Sequence, residues 1–126
     1  MALPHNTLAI DTTFGACSAA LRLAPHDQAQ DTQTISRYEA MTTGHAERLV
    51  GMIADVLRDA ALGFDELNAI AVTVGPGTFT GTRVGVAAAR ALALAGDLPI
   101  YTATSLAVMA GVAQRTRPTA ELGNAN

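Results

Sequence analysis

Apolar and polar positions alternate with two different periods along this chain. Thr7-Leu8-Ala9-Ile10 and Cys17-Ser18-Ala19-Ala20-Leu21-Arg22-Leu23 read as strands on either side of a Phe14-Gly15-Ala16 turn, which predicts a hairpin. Asp27 to Asp31 is polar and turn-like, and Thr32 to Tyr38 alternates weakly, as an edge or third strand would. From His45 the period becomes helical. Leu49, Met52, Ile53, Val56, Leu57 and Ala60 recur at three and four, Glu47, Arg48, Asp55, Arg58 and Asp59 take the opposite side, and Gly63 ends the helix. Ala69 to Val74 returns to the β-branched run of a buried strand. An alanine-rich helix over Thr80 to Ala95 stops at Gly96-Asp97, Leu98 to Ala103 reads as a further strand, and Thr104-Ser105 can cap a last helix over Leu106 to Gln114.

Three meandering strands followed by helix, strand, helix, strand and helix predict one α/β unit, a mixed five-stranded sheet with helices on its faces. The layout is similar to the ribonuclease H-like lobe of the actin, sugar kinase and heat-shock ATPase fold. In that group a carboxylate at the end of the first strand and glycine turns between strands gather around phosphates and their metal. Asp11-Thr12-Thr13 and the loop from Gly75 occupy comparable positions. The lobe is expected to occupy residues 1–114, with a polar tail over 115–126.

At 126 residues the chain has room for one domain with a real core, and 49% hydrophobic against 15% charged residues excludes a disordered tail. A net charge of −3 offers no bulk attraction to nucleic acid or anionic lipid, which disfavours a basic RNA-binding module. One cysteine, Cys17, excludes an intramolecular disulfide framework and fits a reducing compartment. The most apolar helical segment, Val84 to Ala95, is interrupted by Arg90 and does not reach a membrane-spanning length. A cytoplasmic protein is the plain expectation.

Each candidate site has a functional and a structural reading. Asp11 with Thr12 suits a phosphate or a metal-bound water, since a carboxylate matches a hard cation and hydroxyls match phosphate oxygens; equally, Asp11 suits a side-chain-capped turn. Gly75 and Gly77 flank Pro76 in a strand-loop-helix junction whose backbone amides could face a phosphate, or which could allow close packing. The loop lacks a Walker lysine. His45 has Glu47 nearby, but its i+4 neighbour is Leu49, so a surface or helix-start histidine is favoured over a ligand. Cys17 lies in an apolar strand with no adjacent base, as a buried inert thiol would. Gly81, Gly85, Ala88 and Ala89 leave one flank of the second helix nearly bare, and Leu49, Met52, Ile53 and Val56 offer a neighbouring apolar stripe. Together they form a candidate partner interface for a helical homodimer or heterodimer.

Four segments resemble the TsaB family, also called YeaZ: Ala9-Ile10-Asp11-Thr12-Thr13 with Ala16-Cys17-Ser18; His45-Ala46-Glu47-Arg48-Leu49; Gly75 through Gly85; and Leu98-Pro99-Ile100. The resemblance runs from about Leu8 to Ala110. It implies an actin-like fold and a part in forming N6-threonylcarbamoyladenosine beside the anticodon of tRNAs that read codons beginning with adenine. In that pathway the related TsaD is the transferase, the ATPase TsaE also joins, and TsaB is a dimerising, non-catalytic scaffold. The resemblance further implies no cofactor or metal in this chain alone, with ATP or ADP and metal reserved for the complex, and tRNA reached only through it. TsaD-type sequences carry two metal-binding histidines where Ser105 and Met109 stand, and neither replaces imidazole on iron or zinc. The family continues into a second lobe, which this chain is expected to lack. The competing reading is a small phosphate- or nucleotide-binding enzyme of the actin-like ATPase and kinase group, using Asp11, Thr12, Gly75 and Gly77.

Overall fold

The computed structural model describes residues 5–23 and 33–104. They form strands β1 (Asn6–Asp11), β2 (Ala16–Leu23) and β3 (Gln33–Ala40), helix α1 (His45–Asp59), strand β4 (Ala69–Thr73), helix α2 (Phe79–Gly96) and strand β5 (Ile100–Ala103). A single 3-10 turn at Phe64–Glu66 joins α1 to β4. The turn expected at Asp27–Asp31, the last helix at Leu106–Gln114, Ser105, Met109 and the tail lie outside the described residues.

The strands make one sheet in the order β3-β2-β1-β4-β5. β1, β2 and β3 pair antiparallel, with Asp11 opposite Ser18 and Ala16 opposite Ala40. β4 pairs parallel to β1 and to β5, with Ile10 opposite Val72 and Val72 opposite Thr102. This is the mixed five-stranded sheet expected of a ribonuclease H-like lobe of the actin-like fold. The register also gathers three loops at one end of the sheet. The turn after β1, the segment after β3 and the glycine loop after β4 all leave from that end, because β1 and β4 run together and β3 runs with them.

Period-2 alternation decides which side chains face the helices. Leu8 and Ile10 of β1, Leu21 of β2, and Ile70 and Val72 of β4 are buried in one cluster with Leu49, Met52 and Val56 of α1 and Ala89 and Ala93 of α2. Burying each large side chain contributes about 1.5–3 kcal/mol, so α1 is held mainly by its apolar stripe. Outside that stripe, Arg37 and Glu39 of β3 pair with Asp59 and Arg48 of α1. These partly exposed pairs fix the helix's position over the sheet more than they stabilise it. β3 is exposed along most of its length, as befits the edge strand that its weak alternation predicted.

Candidate functional site

The candidate site forms where the turn after β1 meets the glycine loop after β4. Asp11 leaves β1 half-buried, and its Oδ1 accepts hydrogen bonds from the Thr13 amide at 2.9 Å and the Thr13 hydroxyl at 2.6 Å. This is a side-chain-closed turn of the kind aspartate favours two residues upstream of a backbone N–H. The Ser18 hydroxyl donates to the Asp11 carbonyl at 3.3 Å, which ties the turn to the returning strand.

Thr12 and Thr13 are fully buried. The Thr12 hydroxyl donates to the Gly81 carbonyl in the first turn of α2. The Thr13 carbonyl accepts from the Thr78 amide at 2.8 Å, and the Thr78 hydroxyl in turn caps α2 by accepting from the Gly81 amide at 3.2 Å. Backbone thus lies directly on backbone, which explains three glycines. A Cβ on Gly77 would sit 2.3 Å from the Thr13 carbonyl oxygen, one on Gly81 2.2 Å from the Thr12 carbonyl oxygen, and one on Gly85 2.5 Å from the Thr12 hydroxyl. Gly75 serves differently: its φ of 110° lies in the region that only glycine adopts without strain.

The geometry bears on the expected phosphate set of Asp11, Thr12, Gly75 and Gly77 chiefly through Thr12. Thr12 is sealed from solvent and its hydroxyl is engaged, Asp11 directs one oxygen into its own turn, and the face of Gly77 is filled by Thr13. Among the described residues, no three His, Cys, Asp or Glu side chains cluster as metal ligands would.

The expected partner stripe is corrected. Leu49, Met52, Ile53 and Val56 are covered by this chain's own sheet, Gly81 and Gly85 face Thr12, and Ala89 is fully buried. Ala88 is half-buried against the core. The bare flank of α2 seats the helix on the β1 turn. What the two helices turn outward is a different set: Ala46, Val50 and Ala54 on α1, and Ala87, Arg90, Ala91 and Leu94 on α2. Val50 is 70% exposed and Leu94 85%.

Sequence reasoning placed His45 at the surface or at a helix start. It does begin α1, but it is only 7% exposed, and its Nε2 has no hydrogen-bond partner. The signal was in the spacing, because position 45 falls on the stripe of Leu49, Met52 and Val56. Cys17 is buried as expected, with Sγ 4.0 Å from the His45 carbonyl. Burial pushes its thiol above the ordinary range, Arg48 pulls the other way and Glu39 adds to the rise, so the thiol is a poor nucleophile at neutral pH. No described helix is long and apolar enough to cross a membrane.

Comparison with known proteins connects this geometry to a family. The family model for TsaD, tRNA N6-adenosine threonylcarbamoyltransferase, matches residues 33–122. The tRNA threonylcarbamoyladenosine biosynthesis protein TsaB of Escherichia coli is 36% identical over 108 residues, 86% of this chain and 44% of that protein. A tRNA N6-adenosine threonylcarbamoyltransferase of Novosphingobium aromaticivorans is 42% identical over 87 residues, covering 69% of this chain and 25% of the enzyme. Among solved structures, YeaZ from Pseudomonas aeruginosa superposes with a TM-score of 0.79 at 36% identity, over 89% of this chain and 49% of that one. The chain therefore spans less than half the length of the E. coli relative. A family model covering most of the described lobe, TsaB-named relatives along nearly the whole chain and the fold of YeaZ agree: the chain belongs to the TsaB (YeaZ) family.

Proposed function

We propose that this chain takes part in forming N6-threonylcarbamoyladenosine in tRNAs that read codons beginning with adenine, as a non-catalytic assembly subunit that docks a TsaD-type transferase. A TsaE-type ATPase joins the same complex, the chain dimerises in the transferase's absence, and tRNA is reached only through the assembly. Residues 1–114 form the docking lobe and 115–126 a polar tail. ATP or ADP and metal belong to the assembled complex.

The observation that carries the reading is the outward face of α1 and α2. Both helices pack on the same face of the sheet, and the surface they turn away from it combines exposed Val50 and Leu94 with alanines that let another helix approach closely. Arg90 lies among the exposed alanines of α2, whereas Glu47 lies on the outer side of α1, so a partner with similar paired helices can meet it with complementary charge. This replaces the buried stripe expected from sequence with a neighbouring one that a partner can reach. The turn at Asp11 and the glycine loop act beneath it by fixing the height and tilt of α2.

Co-purification with a TsaD-type transferase tests the reading. Wild-type chain should retain the transferase on a column, whereas Val50→Glu and Leu94→Glu should each lose at least tenfold in apparent affinity while keeping the wild-type melting temperature. Retention unchanged in both variants would remove α1 and α2 as the docking surface.

A further inference from the structure

Strand β3 leaves one edge of the sheet open. It is outermost in the order β3-β2-β1-β4-β5, and its eight residues pair with β2 in one unbroken antiparallel register, from Gln33 opposite Leu23 to Ala40 opposite Ala16. The strand is exposed along most of its length and holds neither a proline nor a bulge, two of the devices that keep an edge from pairing with another chain. Where its free backbone groups point follows from the ladder. The Met41 amide donates to the Gly15 carbonyl at 2.9 Å, and bonded positions alternate along an antiparallel pair, so Ile35, Arg37 and Glu39 turn their amides and carbonyls toward β2. Thr34, Ser36, Tyr38 and Ala40 turn theirs outward, with no strand beside them among the described residues.

Only that outward set can exchange backbone bonds with an added strand, which limits how a second copy of β3 can pair with the first. For most of the outward set to be bonded in both copies, a two-fold axis must pass through Ser36, Arg37 or Tyr38. An axis at Arg37 sets two guanidinium groups opposite each other, and one at Ser36 sets Arg37 opposite Ile35. An axis at Tyr38 sets Arg37 opposite Glu39 on both sides, in non-hydrogen-bonded pairs, whose side chains lie closest. Both groups can take a further partner. Arg37 spends Nε and Nη2 on Asp59, Glu39 accepts from Arg48 at Oε1, and 44% and 47% of their side-chain surfaces stay exposed. We propose that the outer edge of β3 pairs antiparallel with β3 of a second copy about a two-fold axis through Tyr38, joining the two sheets into one. Ser36 then bonds Ala40 of the second copy, Tyr38 bonds Tyr38, and the Arg37–Glu39 pairs select the register. There is room for both α1 helices on the joined face, because α1 packs on β2 more than on β3 and strands spaced about 4.8 Å put the two β2 strands roughly 14 Å apart. This contact is separate from the outward face of α1 and α2 and does not rest on the docking role proposed above.

The test combines sedimentation velocity of the full chain over a concentration series with cysteine cross-linking in oxidised glutathione. The chain should sediment as a dimer that dissociates on dilution. Tyr38→Pro removes an outward amide and spares the bonds to β2, so it should raise the dimer dissociation constant at least tenfold while keeping the wild-type melting temperature. Leu94→Glu should leave that constant unchanged. Directly opposed residues in a bonded pair have Cα atoms about 5.5 Å apart, within the ~4.4–6.8 Å that a disulfide spans. Tyr38→Cys should therefore yield a covalent dimer. Ser36→Cys and Ala40→Cys should not cross-link singly, but a mixture of the two should, and the native Cys17 is buried and does not compete. A monomer at every concentration, a dimer dissociated by Leu94→Glu but not by Tyr38→Pro, or cross-linking by Arg37→Cys or Ser36→Cys alone in place of Tyr38→Cys would overturn the proposal. Should Tyr38→Pro fail to fold, the cross-linking pattern still decides it.

Discussion

Adding one methyl group at either of two helical glycines should have opposite effects on stability. In α1, a Cβ on Gly51 would meet only the Arg48 Nη1 end at 3.4 Å, a flexible side-chain tip that can give way. Gly51→Ala therefore gains the ordinary helix-propensity difference, about 0.5–1 kcal/mol. In α2, a Cβ on Gly81 would meet the Thr12 carbonyl oxygen at 2.2 Å and the Thr78 hydroxyl at 2.5 Å. Neither can retreat freely: the first is backbone in a closed turn and the second is the α2 cap. Gly81→Ala gains the same propensity term, but overpacking costs about 1–3 kcal/mol, and disturbing the cap and the Thr12–Gly81 hydrogen bond costs roughly another 1–2 kcal/mol. The net expectation is a loss of about 2 kcal/mol, or a fall in Tm on the order of 10 °C. Urea denaturation and calorimetry of the two variants beside the parent provide the assay. A Gly81→Ala chain as stable as the parent would refute the claim that this flank of α2 is closed by its own domain, and would reopen it as a partner surface.

Other consequences can be checked in the same denaturation assay. Thr12→Val keeps the shape but removes the donor to the Gly81 carbonyl, and should cost about 1–2 kcal/mol with an unchanged denaturant slope; no loss would mean that the bond does not hold α2 to the turn. Burial raises the Cys17 thiol in the folded chain above its ordinary 9.0, so the unfolded chain gives up its proton first. Stability should accordingly be complete below that value and decline as pH rises past it, and Cys17→Ala should flatten the decline; an identical alkaline slope in parent and variant would contradict this.

The fold was legible wherever a period could be read over several residues. The stripe of Leu49, Met52, Ile53 and Val56 placed α1, and the β-branched run at Ala69–Val74 placed β4, because one buried face repeats at the helical spacing and a strand buried on both faces is apolar throughout. The use of those residues was less legible. A stripe reports that a face is covered without saying by what, and here the chain's own sheet covers it. Gly81 and Gly85 carried the same ambiguity: a missing side chain marks a close approach, and only the structure shows that Thr12, 69 residues upstream of Gly81, makes it. His45 was placed at its helix start, but its burial went unread because its polarity outweighed its position on the stripe. Asp11 and Thr12 left two readings open because the same residue types that hold an anion also close a turn on themselves.

The central claim is that this chain supports threonylcarbamoyl transfer by assembling with the transferase rather than by performing the chemistry. The most direct measurement is the N6-threonylcarbamoyladenosine content of unmodified tRNA after incubation with the substrates, a TsaD-type transferase and a TsaE-type ATPase, with and without this chain, by nucleoside mass spectrometry. The account predicts no modified nucleoside from this chain alone, a rise when it joins the transferase, and loss of that rise with Leu94→Glu. Product formed at the same rate whether or not the chain is present, or by the chain without the transferase, would contradict it.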